Sequence, residues 1–438
     1  MGLNLRAYRR HHGLTQTQVV AEIYERAVAR GDKEPGLDPC AVSRHENGHK
    51  RPSPYYQKLY CEIYEASPAE LGFLPVHPGG DAEPELSTSD DTPLAPADVL
   101  AMTRTPVSTQ PPVLVAPQQS EGFDHLVAAL VHHGAAFSPA DVPIDVRMWE
   151  QAASSAKRNA QASRYGPAVS ELTGLLRVLP TVNASLDADA APHVWTLCAQ
   201  TYHTAAGVLL KLGHEGLAHI AADRSMAFAE RSQDPLAIGS SARIVAHALL
   251  SSGQFREART TATTAAARLV TRNPTRQQLS VFGSLLLRGA IAAALAGDRA
   301  GALELLDEAD SAARPVGEDR NDYWTAFGPT NVLLHRVHVA VTLGDAGTAL
   351  EHARAVDLNR LAVTERRASL CIDAARALVQ WDRYAEACHM LTAAQQLAPE
   401  ELMSRPSVRA MVGDMMRHAS RSAQPAVRAL AARVGVDQ

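Results

Sequence analysis

Basic side chains near the N-terminus are the residues of this 438-residue sequence whose types and spacing best suit a chemical task. One group lies at residues 6–10, and a second lies at residues 44–51 around Gly48. The whole chain has a formal charge of −5, so any contact with nucleic acid would have to be local. The stretch Val42–Ser53 has the pattern of the second half of a helix-turn-helix: the end of a short helix, a glycine stop, two basic residues, and Pro and Ser opening another helix.

Patterns typical of catalysis are missing from the sequence. It contains no H-E-x-x-H, no G-x-S-x-G, no Gly-rich phosphate loop and no plausible carboxylate cluster. After residue 74, the close histidine pairs His132–His133 and His335 with His338 have no carboxylate at ligand spacing. We therefore expect no enzyme activity, no metal and no cofactor.

Composition predicts an all-α protein, because only 5% of the residues are aromatic while Ala and Leu dominate. The five cysteines show no C-x-x-C spacing, which favours reduced thiols in a cytoplasmic protein. The sequence lacks the apolar run of roughly 18 residues that a membrane span needs. Its N-terminus has no apolar core followed by a cleavage site, so we expect neither secretion nor membrane contact.

Residues 1–74 are predicted to form a five-helix domain. The first helix ends at Gly13, and Thr15 caps the second, with Gln18 placed to complete a capping box. The domain is nearly neutral, with 10 Lys and Arg against 9 Asp and Glu, and is basic only in patches. The remaining three helices are predicted to begin at Asp38–Pro39, Ser53–Pro54 and Ser67–Pro68.

Residues 75–140 are predicted to be a linker rich in Pro, Asp and Ser. Such a composition cannot bury enough apolar surface to offset the entropy of ordering. Short helices are possible at Ala97–Met102 and at Gly122–Ala136, where Leu126 and Leu130 share one face.

An internal repeat organises residues 141–438. The form G-x-x-x-x-A begins at Gly213, Gly253, Gly297 and Gly344, and Asp382 opens a copy without the glycine. The spacings are 40, 44, 47 and 38 residues, which is typical of helical hairpins stacked in a solenoid. With a degenerate turn near Tyr165 and a closing hairpin after Ser404, we predict six to seven hairpins of tetratricopeptide (TPR)-like type.

The N-terminal motif resembles a known family. Leu14-Thr15-Gln16, followed by Val42–Gly48 and Lys50–Ser53, is similar to the phage-repressor-type (Cro/C1, or XRE) helix-turn-helix. With the repeats, the chain resembles actinobacterial XRE regulators that carry a TPR-like C-terminal domain, and Phe327–His335 looks like a stretch common among them. The resemblance covers residues 1–74 and about 142–438. It implies a lambda-repressor-like domain that binds a double-stranded DNA operator.

The resemblance implies roles for individual residues. Gln16 would contact a phosphate, and the recognition helix Pro39–Asn47 would enter the major groove with Val42 pointing inward. Arg44 is the best base reader, since a guanidinium can bond bidentately to a guanine edge. An Arg in helix 1 often pairs with a Glu near the end of the recognition helix, so we expect a buried Arg9–Glu46 ion pair. The expected DNA-binding residues are Thr15, Gln16, Gln18, Pro39, Cys40, Ala41, Ser43, Arg44, Asn47, Lys50 and Arg51, of which Asn47, Lys50 and Arg51 would contact phosphates.

Two departures from the family pattern stand out. About a dozen additional residues lie between Leu14 and Gly36, so helix 2 is longer or a loop at Ala29–Pro35 is inserted. His45 occupies a position that is usually apolar; we expect a partly buried, hydrogen-bonded histidine, with pH sensing as the alternative. A helical bundle that binds protein rather than DNA is the alternative for the whole domain.

The repeats are predicted to present a concave face, lined by the first helix of each hairpin, to a peptide, small-molecule or protein partner. We expect such a partner to tune operator binding by a homodimer formed through the repeats. The alternative function is a protein-interaction scaffold whose helix-turn-helix reads no specific DNA. Candidate ligand-binding residues are Trp195, Tyr202, Arg288, Tyr323, Trp324, Asn331 and His335. The alternative for Trp195, Tyr202 and His335 is packing between repeats, and for Tyr323 and Trp324 it is burial under a neighbouring helix.

Overall fold

The computed structural model describes residues 4–30, 37, 39–46, 52–73, 121–131, 145–182, 191–361 and 363–436. Within these ranges the chain forms helices, turns and loops and contains no strand, so the predicted all-α class is confirmed. The possible helix Ala97–Met102 lies outside the described residues.

Four α-helices are described in the N-terminal domain. They share a core in which Leu5, Val19, Val42 and Leu59 are buried. The predicted capping box is present at the second helix: Thr15 Oγ1 accepts from the Gln18 backbone N–H at 3.0 Å, and Gln18 Oε1 accepts from the Thr15 N–H at 2.8 Å. The helices are α1 (Leu5–His11), α2 (Gln16–Ala29), α3 (Pro39–Glu46) and α4 (Pro54–Ile63).

The fifth predicted helix is wrong: Ser67–Phe73 forms turns. Ser67 and Glu70 do form a helix-start pattern, since the Ser67 backbone N–H donates to Glu70 Oε2 at 2.7 Å. Gly72 then adopts a left-handed φ of 76°, and the Phe73 N–H bonds back to Pro68 O. The segment is therefore stopped after a single turn.

The structure bears on both departures from the family pattern, the additional residues after Leu14 and the histidine at position 45. Helix α2 continues to Ala29, so much of the additional sequence is helical, and residues 31–36 lie outside the description. His45 is buried, and its Nδ1 lies 3.0 Å from the Tyr60 hydroxyl, as expected for a hydrogen-bonded core histidine.

The described residues between 121 and 434 form a second domain of packed helical hairpins, hereafter the repeat domain. Helix α5 (Glu121–Val131) falls within the predicted linker, yet Leu126 and Leu130 are buried against the first hairpin, so packed structure begins before residue 141. Six successive hairpins and a closing pair are described: α6 (Val146–Gln161) with α7 (Tyr165–Val182), α8 (Ala191–Lys211) with α9 (Glu215–Ser232), α10 (Pro235–Ser251) with α11 (Phe255–Ala267), α12 (Arg276–Leu295) with α13 (Arg299–Ala313), α14 (Pro329–Thr342) with α15 (Ala346–Arg354), α16 (Thr364–Gln380) with α17 (Tyr384–Leu397), then α18 (Pro399–Ser404) and the pair α19 (Pro406–His418) and α20 (Gln424–Val434).

The repeated motif works as its residue types predict. Each glycine ends the first helix of its hairpin in the left-handed region, which only glycine enters without strain. The φ values are 82° at Gly213, 76° at Gly253, 77° at Gly297 and 78° at Gly344, and Asp382 takes 57° in the copy without glycine. The alanine of each copy is fully buried, which lets the second helix pack closely against the first: Ala218, Ala258, Ala302, Ala349 and Ala387.

The repeat domain closes on itself, which the sequence did not predict. Near the start, the Tyr165 backbone N–H donates to Glu400 Oε2 at 2.6 Å, and the Tyr165 hydroxyl contacts Glu401. Lys211 Nζ lies 2.7 Å from Glu401 Oε1 and 2.5 Å from Glu365 Oε1. Because these contacts join α7 and α8 to α16 and α18, the superhelix forms a ring.

Helix α12 is long and apolar enough to cross a membrane by length and composition alone. In the structure, 72% of its apolar 18-residue segment is buried inside the protein, as in a core helix. It packs between α11 and α13 in the centre of the repeat domain.

Candidate functional site

A buried arginine, Arg9, joins the N-terminal domain to the repeat domain. Arg9 on α1 places Nε 2.6 Å from Glu46 Oε1, so the predicted ion pair is present. Its Nη2 lies 2.6 Å from Asp345 Oδ1, at the turn between α14 and α15. Burial alone would lower the pKa of Arg9, but the carboxylates of Glu46 and Asp345 raise it above its usual value. A buried charge network therefore joins the two domains.

Gln16 belongs to the same network. Its Nε2 donates to Glu46 Oε2 at 2.7 Å, and the side chain lies against Gly344, where an added Cβ would be 3.1 Å from Gln16 Oε1. The residue is only 2% exposed. The repeat domain therefore covers the Gln16 amide in this conformation, and the phosphate contact of Gln16 stays a prediction.

A second contact supports the docking. The Arg6 guanidinium lies 5.7 Å from the ring centroid of Trp381, which ends α16, and it also lies against Gly347. An arginine over an indole face is a favourable cation–π arrangement. We call the set Arg9, Gln16, Glu46 and Asp345 the docking network.

The other expected DNA-binding residues are placed as follows. Thr15 is buried in its capping box and Gln18 is exposed. On α3, Val42 is buried as expected and Ala41 packs against the domain core. The backbones of Pro39, Cys40, Ser43 and Arg44 are helical but their side chains lie outside the description, as do Asn47, Lys50 and Arg51 entirely.

The ring surrounds a cavity of about 550 Å³ that is partly open to solvent, hereafter the repeat cavity. As predicted for a concave face, its wall comes largely from the first helices of successive hairpins: α8, α10, α12, α14 and α16. Three of the candidate ligand-binding residues line it: Arg288, Trp324 and His335. His335 Nδ1 lies 2.8 Å from Asn331 O, and burial lowers the pKa of its imidazole well below the ordinary value.

The other four candidates do not line the repeat cavity. Trp195 and Tyr202 stack on Phe228 of α9, with ring centroids 5.7 and 5.6 Å apart, so they pack within a hairpin. Asn331 is buried in α14. Tyr323 lines a small adjoining cavity, and its hydroxyl donates to Asp234 Oδ2 at 3.2 Å. An aromatic or amide side chain did not by itself indicate a position on the cavity wall, because the same residue types also pack between helices.

Sequence reasoning missed most of the charged wall, although a signal existed. An ionisable residue recurs nine or ten positions before each repeat turn, in the first helix of the hairpin. All of these residues line the repeat cavity: His203, Arg243, Arg288, His335 and Asp373. The same periodicity that located the turns would therefore have located the wall.

No family model and no curated protein matches this chain. Among solved structures, the chain is similar to one titled "Crystal Structure of Rap Protein Complexed with Competence and Sporulation Factor". The two chains are 14% identical with a TM-score of 0.45, and the match covers 60% of this chain and 67% of the other. The helical-repeat architecture is established by the hairpins themselves.

Proposed function

We propose that this chain is a sequence-specific DNA-binding transcriptional regulator of XRE type, whose repeat domain binds an effector and controls operator binding. It acts as a homodimer through the repeats, in the cytoplasm and on the nucleoid when bound to DNA. The DNA-binding half of the proposal rests on the resemblance of residues 14–16 and 42–53 to the Cro/C1-type motif. We propose no catalytic activity.

The docking network is the observation that carries the regulatory half. Asp345 of the repeat domain joins an Arg9–Glu46 pair that is internal to the N-terminal domain, at side-chain exposures of 3%, 1% and 0%. A buried charge that loses one partner is costly, so the two domains are coupled energetically. Since Gln16 is covered in this arrangement, release of the N-terminal domain would precede a contact between Gln16 and a phosphate.

Helix α14 offers a physical connection between the effector and the docking network. It lines the repeat cavity with His335 and His338 and leads directly into the turn that carries Gly344 and Asp345. From His335 to the end of α14 at Thr342 is seven residues, about 10 Å at the rise of an α-helix, and Asp345 follows three residues later. An effector with different affinities for the docked and released states would shift the population between them.

The alternative is a protein-interaction scaffold whose N-terminal domain reads no specific DNA. The near-neutral charge of that domain favours this alternative, because sequence-independent DNA affinity comes mainly from cations. The two functions differ in what Arg44 does. In a regulator Arg44 reads a base, and in a scaffold it has no base to read.

Selection of bound sequences from a random duplex pool tests the proposal. Full-length protein and the Asp345→Asn variant, which weakens docking, should both enrich one sequence, with binding that weakens as salt rises. Arg44→Ala should cost about 1–3 kcal/mol for the enriched duplex and relax specificity. Arg314→Ala, at the exposed residue that follows α13 in the repeat domain, is the matched control and should change nothing. If neither wild type nor Asp345→Asn enriches a sequence, the scaffold function replaces the regulator.

A further inference from the structure

The repeat cavity has an excess of positive charge. Its wall includes six Lys and Arg side chains and three carboxylates, with the four histidines left aside. Two of the carboxylates already have partners: Glu365 pairs with Lys211, and Asp373 lies 2.9 Å from both His338 and Arg376. The lining cations are Lys157, Lys211, Arg243, Arg288, Arg366 and Arg405.

Three of these cations have no carboxylate at ion-pair distance within the part of the chain that the structure describes. They are Lys157 on α6, Arg243 on α10 and Arg288 on α12. Arg243 is 9% exposed and its Nη2 meets only a histidine, His203 Nε2, at 3.1 Å. The Nε atoms of Arg243 and Arg288 are buried, with no hydrogen-bond acceptor among the described residues. Burying guanidinium groups without a carboxylate is costly, and an anion bound beside them would offset that cost.

Burial and neighbouring cations lower the pKa values of these three side chains. Burial, together with neighbouring cations, lowers the pKa of Arg243 to about 10, of Arg288 to about 9 and of Lys157 to about 7. Arg243 is among the charges that lower the other two, which places the three groups within electrostatic reach of one another. An anion in the cavity would offset both the free-energy cost of burying these cations and the repulsion between them.

The size of the cavity and the contacts at its sides favour a small molecule over a peptide. A volume of about 550 Å³ lies within the range of pockets that hold small ligands. Lys211 and Glu401 close the ring at one side. At another side, Gln161 Nε2 donates to Trp324 O at 3.2 Å, and both residues line the cavity. An extended peptide would need an open groove with two free ends.

We infer that the repeat cavity binds a small molecule bearing a phosphate or diphosphate group, held by Arg243, Arg288 and Lys157. Guanidinium groups match phosphate oxygens with paired donors, and Lys157 adds a point charge because a bound anion favours its protonated form. A phosphate group can carry two charges, whereas a single carboxylate carries one and would leave more of the three cations unmatched. This inference deepens the proposed function, on which it rests for the role of the anion as effector.

Calorimetric titration of DNA-free, full-length protein with inorganic pyrophosphate at constant ionic strength tests the inference. Wild type should bind pyrophosphate, and Arg243→Gln or Arg288→Gln should weaken binding at least tenfold, while Arg314→Gln should not. Without ligand, both cavity variants should have a raised melting temperature, because each removes an uncompensated charge; a purely structural arginine would give the opposite shift. Two cavity variants are used so that one misfolded variant leaves the test intact.

Three results would overturn the inference: wild type fails to bind pyrophosphate, the cavity variants bind it as wild type does, or citrate binds and pyrophosphate does not. Failure of the proposed function is recognised separately, in the duplex selection. Sequence-selective DNA binding without pyrophosphate binding refutes the cavity assignment alone. Pyrophosphate binding without DNA selectivity refutes the regulator and leaves the cavity assignment standing.

Discussion

Asp345→Asn perturbs the contact between the two domains at its most buried point. The substitution keeps the shape of the side chain but removes its charge, and Asp345 faces both Arg9 of the N-terminal domain and Arg299 of the repeat domain. Only the Arg9 contact crosses between domains, so the Arg299 contact should be affected equally in the docked and released states. We expect the variant to stay folded and to dock more weakly.

The expected magnitude follows from that single contact. A hydrogen bond to a charged group contributes about 1.5–3 kcal/mol, and each 1.4 kcal/mol is a factor of ten in an equilibrium constant. Arg9 keeps Glu46 in either state, and the substituted asparagine side chain retains an oxygen acceptor, so the lower end of the range applies. If only the released form binds DNA, the apparent affinity should rise by about tenfold.

Fluorescence anisotropy with the enriched duplex measures the effect. Wild type, Asp345→Asn and the control Asp310→Asn are compared at one salt concentration. Asp310 pairs with Arg314 on the surface of α13, far in sequence from the turn, so its neutralisation should leave DNA affinity unchanged. Equal or weaker DNA binding by a folded Asp345→Asn protein would refute the idea that docking opposes DNA binding.

Two further substitutions test the docked surface and the cavity. Gly344→Ala and Gly297→Ala both force alanine into a left-handed φ, of 78° and 77°, and each should lose about 1–2 kcal/mol in urea unfolding. Only Gly344→Ala should also tighten DNA binding, because its Cβ would press on Gln16 while Gly297 has no neighbour within 4 Å; equal DNA affinities would contradict this. Lys157→Met tests the buried amine, whose pKa burial and nearby arginines lower from 10.5 to about 7. Between pH 7 and 10.5 the unfolded chain holds more protons, so this group makes the ligand-free wild type gain stability from pH 7 to 8.5, and the variant should lack that part of the gain. Urea midpoints at the two pH values measure it, and parallel profiles would count against the shift.

The helical hairpins could be predicted because their signals are local. Gly213 and Ala218 stand five residues apart, and the same pair recurs with each hairpin, so spacing alone located turns that the structure confirms. The fifth N-terminal helix failed because Gly72 stops it after one turn, and a start signal at Ser67 says nothing about length.

The contacts that shape the candidate sites could not be predicted in this way. Arg9 and Asp345 are 336 residues apart, and Lys211 and Glu401 are 190 apart, so no periodicity relates them. Asp345 follows a glycine and precedes a helix, which describes an ordinary helix start equally well. The burial of Gln16 could not be predicted for the same reason, since the surface that covers it lies in another domain.

Ring closure has a consequence for how this protein can change over evolutionary time. An open stack of hairpins tolerates gain or loss of a unit, because each unit contacts only its neighbours. Here Lys211 and Tyr165 must meet Glu401 across the ring, and one hairpin more or fewer would separate them. Ring closure therefore fixes the number of hairpins. Related sequences should differ by substitutions rather than by the gain or loss of a whole hairpin.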